Sequence, residues 1–167
     1  MTLHEFNTLP RESLIAELSK CCGARAWVQR MLPLIPADNL VELLEDAESQ
    51  WWLCNEEDWK EAFTHHPKIG DLDSLKKKFA NTAVWASGEQ SGVNTATDVI
   101  LNALAEGNRL YEEKFGYIFI VCASGKSAEE MLGMLNERLK NNPEDEIRIA
   151  ADEQNKITLL RLEKLLQ

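Results

Sequence analysis

Apolar side chains recur at every third or fourth position along most of the chain. This spacing places them on one face of an α-helix, where they can be buried together. The pattern occurs in seven stretches: Leu14–Leu18, Trp27–Met31, Leu40–Trp51, Trp59–Phe63, Ile100–Tyr111, Met131–Leu139 and Ile157–Leu165. The sequence therefore predicts an all-α fold, a bundle of about eight helices. Because 167 residues fit one hydrophobic core, we expect a single domain over residues 1–167.

Residues typical of helix starts precede several of these stretches. Polar residues such as Asn, Asp, Ser and Thr at the first cap position accept hydrogen bonds from the otherwise unpaired amides of the first turn. An acidic residue three positions later adds the reciprocal bond of a capping box. On these rules the predicted starts are Thr8 with Pro10, Asp38, Asn55 with Asp58, Asn94 or Thr95, and Ser127 with Glu130.

One short segment, Tyr117–Ala123, is rich in β-branched and aromatic residues and is the only convincing extended run. It has no obvious partner strand. If it is extended but unpaired, its backbone N–H and C=O groups need other partners, and a polar ligand would satisfy some of them. A buried helical segment is the alternative, since periodicity cannot separate the two over so few residues.

The composition excludes several classes of protein. With 44% hydrophobic and 28% charged residues it is typical of a globular protein. A formal net charge of -10 would repel a phosphate backbone, and Lys76–Lys78 is the only basic run, so we expect no nucleic-acid partner. No apolar run is long enough to span a bilayer, which predicts no membrane association. Residues Met1–Asn7 lack the features of a secretory signal, and we expect a cytoplasmic protein.

Neither the cysteines nor the histidines have the spacing of a metal site. The sequence contains no CxxC pair and no HExxH motif, so we expect no metal ion. Vicinal cysteines have poor geometry for an ordinary disulfide, and we expect all four cysteines to be reduced packing residues. The residues concerned are Cys21, Cys22, Cys54, Cys122, His4, His65 and His66.

His66 is the leading candidate for proton chemistry. It precedes Pro67, which disfavours the α conformation, so the sequence places it at the exit of an amphipathic helix. The negative end of the helix dipole would favour the imidazolium there, whereas burial would favour the neutral ring. A histidine between these influences is suited to donate or accept a proton near neutral pH. The alternative is an ordinary capping or packing residue, which is our interpretation of His65.

Two further polar groups stand out. Glu89 and Gln90 lie in a polar loop behind Trp85, and a carboxylate brought next to His66 could orient its ring. Arg161 lies on or beside the apolar face of the last helix, an unusual place for arginine. It should find a carboxylate or a ligand oxygen there, or else cover apolar surface with its stem while its head reaches water.

Four segments in this order resemble the 2-oxo-4-hydroxy-4-carboxy-5-ureidoimidazoline (OHCU) decarboxylase family. They are His66–Gly70, Glu89–Gln90, Asn108 with Lys114–Ala123, and Lys156–Ile157 with Leu160–Leu162, so the resemblance covers nearly the whole chain. It implies an all-helical homodimer that needs no cofactor. It also implies conversion of OHCU to (S)-allantoin with loss of CO₂, a step of urate degradation.

The resemblance also implies roles for particular residues. His66 would be the proton donor and general acid/base, with Glu89 as the acidic partner beside it. Many members of the family have serine where this chain has Ala86, so either Ser87 supplies that hydroxyl or the contact is absent. The residues implied to bind substrate are Pro67, Ala86, Ser87, Gly88, Glu89, Gln90, Phe119, Ile120, Val121, Cys122, Ala123 and Arg161.

Two other functions fit part of the pattern. An all-helical protein-interaction module would use exposed tryptophans as anchors, and the chain has five: Trp27, Trp51, Trp52, Trp59 and Trp85. Most of them fall on helical stripes, which favours burial in the core. A related lyase or hydrolase acting on a similar ring compound would use the same His66 and Glu89.

Overall fold

The protein is described here by a computed structural model that covers residues 1–67, Leu75, Lys77 and 91–167, with residues 91–96 described by their backbone alone. These parts of the chain contain eight α-helices and no strand, which confirms the predicted all-α class. The helices are α1 Leu3–Asn7, α2 Arg11–Cys21, α3 Arg25–Met31, α4 Leu40–Trp52, α5 Glu56–Thr64, α6 Ser91–Phe115, α7 Ala128–Arg138 and α8 Pro143–Leu165, and a 3-10 turn covers Leu32–Leu34.

Contacts within the chain divide it into two compact units. The first unit comprises residues 1–66 and 147–167, and the second comprises residues 67–146. Helix α8 thus gives its first four residues to the second unit and the remainder to the first. The prediction of one domain over the whole chain stays a prediction.

Indole N–H groups join the helices of the first unit from inside its core. Trp27 donates to the carbonyl of Ala47 at 2.9 Å, which ties α3 to α4. Trp51 donates to the carbonyl of Ala151 at 2.9 Å, which ties α4 to α8. Trp59 of α5 donates to the Trp51 carbonyl at 3.2 Å. Each ring therefore fills buried space and also satisfies a polar group that burial would otherwise penalise.

The second unit is built on the packing of α6 against α7. Leu101, Leu104 and Tyr111 of α6 are buried together with Met131 and Leu135 of α7. Gly107 allows the close approach, because a Cβ atom there would lie 2.5 Å from the end of the Leu135 side chain. At the end of α6, Gly116 has a φ of 84° and donates its N–H to the carbonyl of Glu112 at 2.8 Å. Glycine takes this left-handed conformation without steric cost, so the helix stops there.

Of the five predicted helix starts, two are confirmed and three are displaced. Asn55 forms a full capping box with Asp58, and Ser127 accepts from the Glu130 amide at 3.1 Å. Helix α2 begins at Arg11 with Pro10 at the cap position, so Thr8 does not cap it. The cap of α4 is Asn39 instead of Asp38, and α6 begins at Ser91, ahead of Asn94 and Thr95. Asn, Asp, Ser and Thr cap a helix almost equally well, so local sequence chooses poorly between neighbouring candidates.

The segment 117–123 connects α6 to α7 in neither a helix nor a strand, so the helical alternative is wrong. Its carbonyls are held by basic groups of the same unit. Ile120 O accepts from Arg138 Nη1 at 2.6 Å, and Cys122 O accepts from Lys126 Nζ at 2.8 Å. The irregular backbone thus satisfies part of its hydrogen-bonding capacity through side chains.

Candidate active site

Helix α5 carries His66 at its carboxyl end. Asn55 and Asp58 fix the start of the helix, and Trp59, Ala62 and Phe63 bury its inner face. The helix ends at Thr64, and the His66 N–H donates to the Phe63 carbonyl at 3.3 Å in the closing turn. The His66 side chain is half-buried. The predicted position at a helix exit is therefore correct.

The His66 ring belongs to a group that we call the histidine cluster: His66, Gln154 and Thr158. His66 Nε2 forms a hydrogen bond with Gln154 Oε1. Gln154 Nε2 donates to Thr158 Oγ1 at 3.1 Å, and that hydroxyl donates to the Gln154 carbonyl at 3.0 Å. Gln154 is fully buried and Thr158 is 2% exposed. A residue of α8 therefore holds the imidazole ring that follows the end of α5.

Arg161 lies further along the same face of α8. Positions 154, 158 and 161 are separated by four and three residues, so their side chains share one face over about 10 Å of helix. Arg161 Nη1 approaches the carbonyls of Lys20 and Cys21 at 3.4 and 3.3 Å, at the end of α2. A cation there interacts favourably with the negative end of the helix dipole. Nε and Nη2 form no hydrogen bond with the described residues.

Three cysteines of the first unit are buried free thiols, as predicted. Burial raises the pKa of Cys21 to about 11, and the nearby Arg161 charge acts in the opposite direction. Burial also raises the pKa of Cys22 to about 12 and that of Cys54 to about 11. A thiol that keeps its proton is a poor nucleophile, so these residues act in packing.

The second unit has a charged counterpart, the arginine cluster of Tyr111, Arg138 and Glu146. Arg138 Nε donates to Glu146 Oε1 at 2.6 Å, and the Tyr111 hydroxyl donates to the same oxygen at 2.5 Å. Arg138 also holds the Ile120 carbonyl and places its guanidinium 4.4 Å from the ring centre of Phe119. Burial raises the pKa of Tyr111 above its ordinary value. The cluster therefore fixes the start of the predicted substrate-binding segment.

The structure places some of the predicted site residues but not all. His66 and Arg161 lie in the first unit, and Pro67, the next residue after His66, is exposed. In the second unit Ile120 and Cys122 are buried, and Phe119, Val121 and Ala123 are half-buried. The predicted loop lies outside the described residues, so the roles of its five members stay predictions: Ala86, Ser87, Gly88, Glu89 and Gln90.

Sequence reasoning missed Gln154 and Thr158. The buried face of α8 includes Ile147, Ala151, Gln154, Thr158 and Leu162, spaced by four, three, four and four residues. Two polar residues at core positions of a helical period were the available signal. The apolar residues that predicted this helix include Ile157 and Leu160, which are only half-buried, so the predicted buried face did not contain Gln154 or Thr158.

In the parts of the chain that the structure describes, no group of three or more His, Cys, Asp or Glu side chains could hold a metal ion. No helix of these parts is both long enough and apolar enough to cross a bilayer.

The tryptophans give little support to an interaction module. Trp27, Trp51 and Trp59 are buried, with exposures of 0, 1 and 6%, and each donates its indole N–H inside the first unit. Trp52 is partly exposed, but its ring packs edge-on against Trp59 at 5.7 Å. Trp85 lies outside the described residues. The tryptophans of the first unit therefore contribute mainly to its core.

Curated proteins of known sequence are similar to the chain over much of its length. It is 41% identical over 152 residues to a uric acid degradation bifunctional protein, TTL, of Arabidopsis thaliana, which covers 89% of this chain and 46% of that protein. It is 38% identical over 107 residues to a 2-oxo-4-hydroxy-4-carboxy-5-ureidoimidazoline decarboxylase of Amia calva, covering 61% of this chain and 58% of that one. The chain thus spans about half the length of these curated relatives.

Two solved structures share the fold. A crystal structure of an OHCU decarboxylase in the presence of (S)-allantoin superposes with a TM-score of 0.69 and 38% identity, covering 90% of this chain and 96% of that one. A crystal structure of an (S)-allantoin synthase gives a TM-score of 0.72 at 15% identity, covering 98% of this chain and 54% of that one, a likeness of fold alone. The sequence profile of OHCU decarboxylase matches residues 7–163. The chain belongs to the OHCU decarboxylase family.

Proposed function

We propose that this protein decarboxylates OHCU in urate degradation and forms (S)-allantoin. Family membership supports the reaction class, and the 38% identical structure obtained with (S)-allantoin supports the product. The observation that carries the proposal for this chain is the half-buried His66, held at the end of α5 by the buried Gln154. A positioned imidazole at a helix exit is suited to deliver one proton to one face of a bound ring.

The reaction makes three demands on the protein. The name of the substrate places a carboxyl group and a hydroxyl on one ring carbon. Departure of CO₂ leaves on that carbon an electron pair that the ring must delocalise. A proton must then return to one face only, because one enantiomer is formed. The sum is redox neutral, so the proposed reaction needs no oxidant or reductant. The protein has to orient the carboxylate, stabilise the developing negative charge and supply the proton.

We assign proton delivery to His66 and anion binding to Arg161. Both belong to the first unit, and Arg161 follows Gln154 by seven residues on one face of α8. The guanidinium uses Nη1 for the end of α2, which leaves Nε and Nη2 to meet a carboxylate side by side. The contacts of Nη1 with the end of α2 also fix the direction in which the planar guanidinium of Arg161 points.

The remaining roles follow the family pattern. Glu89 would orient His66 and bind the polar edge of the substrate, while Gln90 and the main chain of Phe119–Ala123 would bind its ureido and ring groups. The arginine cluster supports the last assignment, because Arg138 fixes both Phe119 and Ile120. A backbone that is already ordered loses less entropy when it binds a ligand.

Circular dichroism of a coupled urate reaction tests the function. Urate is oxidised by urate oxidase, hydroxyisourate hydrolase is added, and optical activity is followed with and without this protein. We expect rapid formation of one allantoin enantiomer. The His66→Asn variant should be slower by at least about 10²-fold, as is typical when a general acid or base is lost. His65→Asn is the matched control, because it removes the adjacent exposed ring and should retain activity.

The two parts of the proposal fail separately. Slow racemic product with the unmodified protein would contradict the decarboxylase function. Full activity of folded His66→Asn would retain the function and remove His66 from proton transfer.

The homodimer and the cytoplasmic location are proposed from the family resemblance alone. Light scattering coupled to size-exclusion chromatography tests the first, because a dimer has twice the 19.0 kDa mass of one chain. Fluorescence of a tagged protein in intact cells tests the second.

A further inference from the structure

We infer that Gln154, oriented by Thr158, is a positioning residue for His66 that keeps a hydrogen on Nε2. Proton exchange then takes place at Nδ1. The effect on turnover rests on the proposed function, whereas the placement of the hydrogen does not. Neither residue belongs to the site that the family resemblance implies.

The orientation of the Gln154 amide follows from the hydrogens available around it. The Thr158 hydroxyl has one hydrogen, which it donates to the Gln154 main-chain carbonyl at 3.0 Å. Thr158 also hydrogen-bonds to the Cys22 thiol, which keeps its proton because burial raises the pKa of Cys22 to about 12, and the thiol is the donor of that bond. The Thr158 oxygen can then only accept from the Gln154 side chain, which lies 3.1 Å away. The group facing Thr158 must therefore be the NH₂ of the amide, and Oε1 must face His66.

The orientation of Gln154 in turn determines the state of the His66 ring. An amide oxygen accepts hydrogen bonds and donates none, so the ring nitrogen beside it must carry hydrogen. That nitrogen is Nε2. A neutral His66 is therefore protonated on Nε2 and has its lone pair on Nδ1, and only Nδ1 gains or loses a proton as the charge changes. Thr158 thus selects the reactive nitrogen through Gln154.

A neutral partner suits a residue that must pass its proton on. A carboxylate at Gln154's place would bind the imidazolium with a full negative charge and oppose release of the proton. The amide oxygen holds the ring with a dipole and remains compatible with both charge states. Because Gln154 is fully buried and Thr158 is 2% exposed, water cannot readily replace either contact.

Three variants separate positioning from packing. Thr158→Val keeps the shape of the side chain but removes the hydroxyl, so the Gln154 amide is free to turn. Thr158→Ser keeps the hydroxyl and is the matched control. Gln154→Met keeps the length of the side chain and removes both amide groups. Urea unfolding of each variant checks that it is folded.

The readout independent of activity is the imidazole N–H resonance in protein labelled with ¹⁵N-histidine. His4 and His65 are exposed, so their ring hydrogens exchange quickly with water. We expect one slowly exchanging ring N–H in the unmodified protein, with its hydrogen on Nε2. Its resonance should be absent from His66→Asn. It should persist in Thr158→Ser and disappear in Thr158→Val and Gln154→Met. Turnover of Thr158→Val and Gln154→Met should fall by about 10- to 100-fold, mainly through kcat and not through KM.

The inference is overturned if His66 Nε2 lacks hydrogen in the unmodified protein, or if the N–H resonance persists in folded Thr158→Val. It is also overturned if active protein loses the resonance in these variants without loss of kcat. If the unmodified protein forms no allantoin, the proposed function fails, and the N–H resonance alone decides whether Gln154 positions His66.

Discussion

The two buried polar clusters differ in charge and in access to solvent. In the histidine cluster, the half-buried imidazole of His66 bonds to the Gln154 amide, which bonds in turn to the Thr158 hydroxyl, and neither Gln154 nor Thr158 carries a charge. In the arginine cluster, Arg138 and Glu146 form an ion pair whose side chains are 7% and 0% exposed. Both carboxylate oxygens of Glu146 accept hydrogen bonds. Oε1 accepts from Arg138 and Tyr111, and Oε2 accepts from Asn141 at 2.9 Å.

This difference fits the histidine cluster for the proposed proton transfer and the arginine cluster for a structural role. A residue that exchanges protons must be reachable and must tolerate both charge states, and the neutral Gln154 amide is compatible with both. A buried ion pair tolerates no such change, because removal of either charge leaves the other unpaired in a medium of low polarity. We therefore expect substitutions in the arginine cluster to affect folding, and substitutions in the histidine cluster to affect turnover.

The largest effect is expected for Arg138→Met, which leaves Glu146 as an unpaired buried charge. The free energy of unfolding should fall by about 3–5 kcal/mol, as is typical when one partner of a buried pair is removed. Urea unfolding followed by circular dichroism measures the change. Arg109→Met, which breaks exposed pairs with Glu106 and Glu113, is the control and should leave stability within experimental error. Equal effects of the two variants would contradict the comparison.

Glycine-to-alanine substitutions should have opposite signs in the two units. A Cβ atom at Gly23 would lie 2.3 Å from His65 Cγ, so Gly23→Ala must displace the end of α5 that carries His66. It should cost about 1–3 kcal/mol through overpacking and should also lower turnover. Gly133 in α7 has no atom within 4 Å of such a Cβ, and Gly133→Ala should stabilise by about 0.5–1 kcal/mol. Urea midpoints measure both, and a stable, fully active Gly23→Ala would be inconsistent with the packing described.

Alkaline pH should weaken the first unit through its thiols. Cys21, Cys22 and Cys54 have ordinary pKa values near 9.0, raised by burial to about 11, 12 and 11. Between pH 9 and 11 the unfolded chain loses these protons while the folded chain keeps them, so stability falls as pH rises. Each thiol contributes up to about 1.4 kcal/mol per pH unit, and below about pH 8 the contribution is constant. Urea titrations at several pH values give the free energy of unfolding as a function of pH. Its decrease between pH 9 and 11 should be less steep for Cys22→Ala, and an unchanged decrease would refute the raised pKa of Cys22.

Between the two clusters, the smaller change in stability is expected for His66→Asn. The ring is half-buried, and its partner Gln154 is neutral and does not become an unpaired buried charge when the ring is removed. The free energy of unfolding should change by less than about 1 kcal/mol, although turnover falls by at least about 10²-fold. Urea unfolding and the allantoin assay on one preparation measure the two effects. A loss of stability as large as that of Arg138→Met would erase the distinction between the clusters.

The sequence predicted the helical class and the place of His66 because both depend on local signals. The stretch Trp59–Phe63 has a clear helical period, and Pro67 disfavours continuation of the helix. Helix α1 was missed because it has five residues and a single buried side chain, Phe6, which is too short for a period to show.

The partners of His66 could not be predicted, since 88 residues separate it from Gln154 and the contact depends on how α5 and α8 pack. Gln154 and Thr158 are polar residues in a helix that carries many charges, and polarity alone suggests a solvated surface. Arg161 was located beside the apolar face, but its contact with the end of α2 depends equally on packing. Local sequence thus located His66 at its helix exit, whereas its surroundings depend on tertiary packing.

The shared face of Gln154, Thr158 and Arg161 limits how α8 can change over evolutionary time. Single substitutions on this face alter one contact each, but an inserted or deleted residue between 154 and 161 would rotate everything beyond it by about 100°. Arg161 would then leave the end of α2 while Gln154 stayed beside His66. Descendants of this gene should accordingly vary in loop length while keeping the seven-residue interval from Gln154 to Arg161 unchanged.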